Sequence, residues 1–287
     1  MKRHAVLLAI MLASSSLTAM AQEEVRSAHQ LAKSPYQEYV EKGMTLLEQD
    51  SLLQAESCFW QAIKSDPTQR SNSLLYNYIG RIQEQTNRIE EAITSYSNAI
   101  NLNPSSTDIL LNRASLYLSQ NNKDKAQQDY STVIDLNPKN TEALFFRAYI
   151  YKGKRMFKEA RKDYETIIEI EPLNEKALLG LALLNDKDNR PKEAMEQINR
   201  LVSIFPNNGL YYNIRGGIQQ QRKNYELAIK DFNHACELEP ENPEHLISRA
   251  SCYLEMKKRK LALQDLRRAQ TLGADPILIA SMIKEAK

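Results

Sequence analysis

The sequence predicts an all-α protein of seven stacked helical hairpins closed by a C-terminal helix, and three observations carry that prediction. Pro104, Pro138, Pro172, Pro206 and Pro240 stand thirty-four residues apart, with Pro67 thirty-seven before the first. A fixed period of this length marks repeated supersecondary units. With each proline set at position 32 of its unit, position 20 is alanine every time: Ala55, Ala92, Ala126, Ala160, Ala194, Ala228 and Ala262. Position 8 is always glycine or alanine: Gly43, Gly80, Ala114, Ala148, Ala182, Gly216 and Ala250.

Each element has a physical reason. Two helices that cross closely need a small side chain from each at the crossing, which positions 8 and 20 supply. Position 24 is bulky in every unit (Phe59, Tyr96, Tyr130, Tyr164, Ile198, Phe232, Leu266) and fills the space beside them. Proline at 32 cannot continue a helix, so it ends the second helix and turns the chain into the next unit. The units run 36–69, 73–106, 107–140, 141–174, 175–208, 209–242 and 243–274, with Arg70 to Asn72 inserted after the first. Residues 275–287 form a capping helix, with Ile277, Ile279 and Ile283 expected to cover the open face of the last hairpin while Lys284, Glu285 and Lys287 face water.

Small at 8, alanine at 20, an aromatic at 24 and proline at 32 is a pattern that resembles the tetratricopeptide repeat family, over residues 36 to 274. The resemblance implies a right-handed superhelical α-solenoid whose first helices line a concave groove, with positions 2, 5, 9 and 12 pointing into it.

Position 7 is arginine in four units (Arg113, Arg147, Arg215, Arg249), and position 23 is aspartate in the same four (Asp129, Asp163, Asp231, Asp265); the other three units lack both. In an antiparallel hairpin turning near positions 15 and 16 these residues lie level, so they are read as structural ion pairs.

The N-terminus has the three parts of a secretory signal: Lys2 and Arg3, an apolar run from Ala5 to Leu12, and Ala19-Met20-Ala21 before cleavage at Gln22. Residues 22–35 read as a polar leader. The expected location is the periplasm or outside the cell, with no integral membrane segment. Cys58, Cys236 and Cys252 are an odd count, and hairpin geometry leaves all three unpaired. His234, His245 and Cys236 come near one turn, but without a convincing fourth ligand they read as two partly exposed histidines and a buried thiol rather than a metal site. His4 and His29 lie in the signal and leader.

Hydrophobic residues at 42% and charged residues at 26% exclude disorder by composition. Lys+Arg 38 against Asp+Glu 36 leaves no global field to recruit nucleic acid. No HExxH, GxSxG or phosphate-cradling glycine loop occurs, so no enzyme and no cofactor is expected. The groove positions supply the candidate site: Leu111, Phe145, Tyr149, Leu179 and Leu183 form an apolar stripe, and Asn77, Arg81, Asn213 and Gln220 supply polar contacts. Some relatives grip a C-terminal carboxylate with a Lys/Asn clamp; the corresponding run Val40, Met44, Tyr78, Asp108, Asn112 lacks it. Basic residues cluster at two hairpin tips, at Lys152, Lys154, Arg155, Lys158, Arg161 and Lys162 and again around Lys257 to Lys260 with Arg267 and Arg268. They are read as solvated edges with Glu159, Asp163, Glu255 and Asp265 interleaved. The expected function is a non-catalytic protein–protein interaction scaffold of the cell envelope. The alternative is a periplasmic binder of a glycan, peptidoglycan fragment or other anionic envelope ligand, including lipid, through Arg81 and the basic tips.

Overall fold

The computed structural model describes residues 33–286. The signal, its cleavage point, the leader up to residue 32, His4, His29 and Lys287 lie outside the described residues. All regular structure among them is helical. Seven hairpins follow one another: α1 (Pro35–Glu48) with α2 (Leu52–Ser65), α3 (Asn72–Gln85) with α4 (Ile89–Leu102), α5 (Thr107–Ser119) with α6 (Lys123–Leu136), and α7 (Thr141–Gly153) with α8 (Phe157–Ile170). Then come α9 (Glu175–Lys187) with α10 (Pro191–Ile204), α11 (Gly209–Gln221) with α12 (Tyr225–Leu238), and α13 (Pro243–Glu255) with α14 (Arg259–Thr271), before the single helix α15 (Pro276–Ala286). Packing divides the chain into two compact units, one ending at Asp129 and one beginning at Tyr130.

The turn inside each hairpin is the same motif seven times. Position 15 has positive φ in every unit, at Asp50, Asn87, Asn121, Arg155, Asn189, Lys223 and Lys257. Its N–H donates to the carbonyl of position 12, as Asp50 to Leu47 at 3.1 Å, and the next N–H reaches back to position 11, as Ser51 to Leu46 at 2.8 Å. This is a Schellman motif, which satisfies the last carbonyls of the first helix. Asparagine and aspartate tolerate that conformation; Arg155, Lys223 and Lys257 adopt it at a steric cost. At the other end, asparagines cap the next first helix: Asn140 and Asn174 accept from Ala143 and Ala177 N–H at 2.8 and 2.9 Å.

All seven position-20 alanines are fully buried. At three hairpins the position-8 glycine admits the position-24 ring: a Cβ on Gly43, Gly80 or Gly216 would lie 2.5, 2.7 or 2.7 Å from Phe59, Tyr96 or Phe232. Tyr164 instead lies against Gly180 of the following hairpin, 2.6 Å from where a Cβ would stand. Within the unit that begins at Tyr130 the core passes from one hairpin to the next, as in the cluster joining Leu144, Ala160 and Tyr164 to Ala177, Leu181 and Leu184.

Two expectations at the C-terminal end are corrected. Ile279 is buried and Ile283 packs on the last hairpin, but Ile277 is 82% exposed, because it lies at the start of α15 on the side turned away from α13 and α14. His245 is buried rather than partly exposed. Its Nε2 lies 2.9 Å from Glu239 Oε2, which also accepts from Asn242 at 2.9 Å, while Glu239 Oε1 accepts the Gly209 N–H at 2.9 Å.

Candidate binding groove

Four arginines hold the first helices in place. Arg113, Arg147, Arg215 and Arg249 each donate two parallel bonds of 2.7 to 2.9 Å to the aspartate sixteen residues on. A third donor of each reaches the preceding hairpin, at Ser97, Ser131, Asn199 and Asn233, all at position 25. The guanidinium is thus a three-way clamp, its pKa held high by the aspartate bonds despite partial burial. Serine or asparagine at 25 appears in just the units that precede an arginine hairpin, a signal present in the sequence that the pairwise reading missed.

In the unit that ends at Asp129, Asn77 Oδ1 accepts from Asn112 Nδ2 at 3.4 Å and borders a hollow of about 440 Å³ with Leu74, Leu102 and Asp108. Arg81 is exposed beside a smaller hollow of about 200 Å³ with Asp50, Tyr78 and Gln85. Leu111 is half-buried.

In the unit that begins at Tyr130, the predicted apolar stripe divides. Phe145 is half-buried, edge-on to Phe146 and Tyr164 at 5.5 and 6.0 Å, and Leu179 packs on the cluster of Leu178, Ile198 and Tyr211. Both serve the core as much as the surface. Tyr149 and Leu183, both at position 9, are exposed. Phe145 and Phe146 still wall a hollow of about 350 Å³ with Thr141, Glu142, Asn174 and Lys176. Asn213 is half-buried with its Oδ1 enclosed and without a hydrogen-bond partner. Gln220 is engaged by Ser251 at 3.2 Å and by Glu255. The stripe is therefore an alternation of core-anchored and free side chains.

The basic tip at hairpin four is also corrected. Arg161 is not a solvated edge: it donates to Asn185 and, at 2.6 Å, to Asp188 of the next hairpin, and only 15% of its side chain is exposed. Lys152 turns back over the ring of Tyr149. Around the seventh hairpin, Lys257 to Lys260 are exposed.

The three cysteines are free thiols. Burial pushes Cys236 upward and Cys252 to about 11, which keeps both protonated and unreactive at neutral pH. His234 stacks edge-on to Tyr212 at 4.3 Å, apart from the His245–Glu239 bond, and no three metal-ligating side chains converge among the described residues.

Family models described as TPR repeat or tetratricopeptide repeat match residues 80–121, 107–140, 153–218 and 210–242, slightly more than half of the chain. A tetratricopeptide repeat protein from Parabacteroides merdae ATCC 43184 has a similar structure, with a TM-score of 0.64 at 26% identity over 88% of this chain and 98% of that one. YrrB, described as a TPR protein with an unusual peptide-binding site, matches 66% of this chain and 97% of its own at 22% identity and a TM-score of 0.51. Pseudomonas aeruginosa pilF matches 75% and 99% at 15% identity and 0.58. No curated protein matches the chain. The chain belongs to the tetratricopeptide repeat family and is an all-α repeat protein. Proteins of this family are generally non-catalytic scaffolds that bind protein partners. No described helix is long and apolar enough to cross a membrane.

Proposed function

We propose that this chain is a non-catalytic adaptor of the cell envelope that holds a segment of a partner protein against the inner face of its first helices. The observation that carries the reading is the pair Tyr149 and Leu183, large apolar side chains left exposed at equivalent positions of consecutive hairpins whose neighbours Phe145 and Leu179 are half-buried against the core. Preorganised anchors of this kind let an extended ligand gain from several weak contacts at little ordering cost to the scaffold. The envelope location rests on the signal-like N-terminus, from Lys2 and Arg3 to Ala21.

Site-specific photo-crosslinking tests it. A crosslinker at position 149 or 183 should capture one discrete partner from the envelope fraction, whereas one at the exposed Lys162 of α8 should not. Equal capture at 149 and 162 would contradict the groove. Capture that disappears as salt rises would favour glycan or lipid held by exposed basic residues instead.

A further inference from the structure

The inner face of hairpins four to six carries a chemistry more specific than an apolar surface. Lys152 and Lys187 stand at the C-terminal turns of α7 and α9, where helix dipoles favour cations. Lys152 is half-buried with its Nζ 5.7 Å from the centroid of the Tyr149 ring, and neither lysine has an ion pair or hydrogen bond among the described residues. Burial, and then the neighbouring charge of Lys187, push the Lys152 ammonium below the usual lysine range. Two ammonium groups that repel one another, Lys152 half-buried and Lys187 exposed at the surface beside it, are relieved by a shared anion.

An independent observation comes from hairpin six. Glycine inside a helix costs about 1 kcal/mol relative to alanine. The helical Gly43, Gly80, Gly180 and Gly216 each make room for an aromatic ring, but a Cβ on Gly217 would meet nothing within 4 Å. Packing therefore does not require it. Gly217 occupies position 9, the position of Tyr149 and Leu183 in the two preceding hairpins, so the row runs from a large ring to a bare backbone.

We propose that this face takes an extended acidic segment of a protein partner, with a carboxylate shared by Lys152 and Lys187, an apolar side chain against Tyr149 and Leu183, and the main chain passing over Gly217. The proposal rests on the groove reading above and adds the charge and conformation of the occupant. It differs from the carboxylate clamp absent from this chain in using the C-terminal turns of two first helices.

The test uses two labelled peptides, one alternating glutamate with phenylalanine and its twin with glutamine in place of glutamate, followed by fluorescence anisotropy at physiological salt. The wild-type protein should bind the glutamate peptide about tenfold or more tightly than the twin, as charge-assisted bonds require. Lys152→Gln with Lys187→Gln should erase that preference and leave the twin's affinity unchanged. Gly217→Ala should raise the thermal midpoint while weakening both peptides, a combination that misfolding does not produce. Equal affinity of the two peptides for the wild type, or an undiminished preference in the lysine variant, overturns the proposal. So does capture of phosphatidylglycerol vesicles that depends on the two lysines while both peptides are ignored. Tyr149→Ala with Leu183→Ala separates the levels: loss of both peptides in that variant keeps the groove even where the acidic preference fails, and retention of both removes the groove itself.

Discussion

The junctions between hairpins are made in two ways, and the contrast shows what the repeat demands and what it leaves free. Before hairpins three, four, six and seven, an arginine at position 7 clamps its own position 23 and the preceding position 25. Before hairpins two and five that arginine is Ile79 or Leu181, and the polar link moves to the neighbouring rows. Glu56 accepts from Gln83 at 3.0 Å and from Arg88, and Ser95 donates to the same Gln83 at 2.7 Å. At hairpin five the link has the opposite polarity, with Arg161 at position 21 donating to Asn185 and Asp188, and Arg190 also bound to Asp188 at 3.1 Å. In the first hairpin positions 7 and 23 are Lys42 and Cys58. What the stack needs at each junction is a satisfied buried polar bridge; its charge pattern and exact rows are interchangeable.

Several substitutions bear on this contrast, and the most damaging removes one side of a buried clamp. Arg147→Met leaves Asp163, with 4% of its side chain exposed, without its partner and should cost about 3–5 kcal/mol in urea denaturation. Adding Asp163→Leu should recover much of that loss; equal losses would show that the two residues are not coupled. At the alternative junction Arg161→Met should cost less, about 1–3 kcal/mol, because Asp188 keeps Arg190 and is more exposed.

The glycine pair of α11 sets packing against helix propensity. Gly216→Ala drives a methyl into Phe232 and should destabilise by about 1–3 kcal/mol, whereas Gly217→Ala should stabilise by about 1 kcal/mol. A shared sign in thermal denaturation would mean that Gly216 is not at a crossing. At the turns, Lys223→Gly relieves a left-handed lysine and should raise stability by about 0.5–1 kcal/mol, with Asn189→Gly near zero as its control.

The smallest effect is one of pH. Bonds from Asn242, and then from His245 and the Gly209 N–H, hold Glu239 below the ordinary glutamate value of 4.5 against the opposing effect of burial. A carboxylate depressed in the folded state stabilises fully above its unfolded value and loses that contribution as pH falls through the folded one. Glu239→Gln should therefore blunt the fall in thermal midpoint below about pH 4.5; an unchanged acid limb would show that the bonds to Asn242 and His245 carry no linkage.

Much of this architecture was legible because it repeats. The period, the alanines at 20 and the matched Arg/Asp pairs recur in register, and recurrence separates a packing demand from chance composition. The serines and asparagines at position 25 were equally legible, but only to a search across hairpins rather than within them. The Glu56 and Arg161 bridges were not, since each occurs once and with opposite charge. For the groove, sequence position named a candidate face but did not separate side chains that turn into the core from those that stay outside. Phe145 and Leu179 turn inward because Tyr164 and Ile198 of adjacent second helices offer them surface. Ile277 escaped for the converse reason: it stands at the start of α15 on the side turned away from α13 and α14, to which Ile279 and Ile283 are turned.

That division makes Tyr149 and Leu183 a better probe of function than Phe145, whose loss would damage the core as well. In the variant Tyr149→Ala with Leu183→Ala, recovery of the crosslinked envelope partner should be lost while the thermal midpoint stays at the wild-type value. Full recovery of that partner by an equally stable double variant would place binding elsewhere on the molecule and contradict the assignment of the inner face.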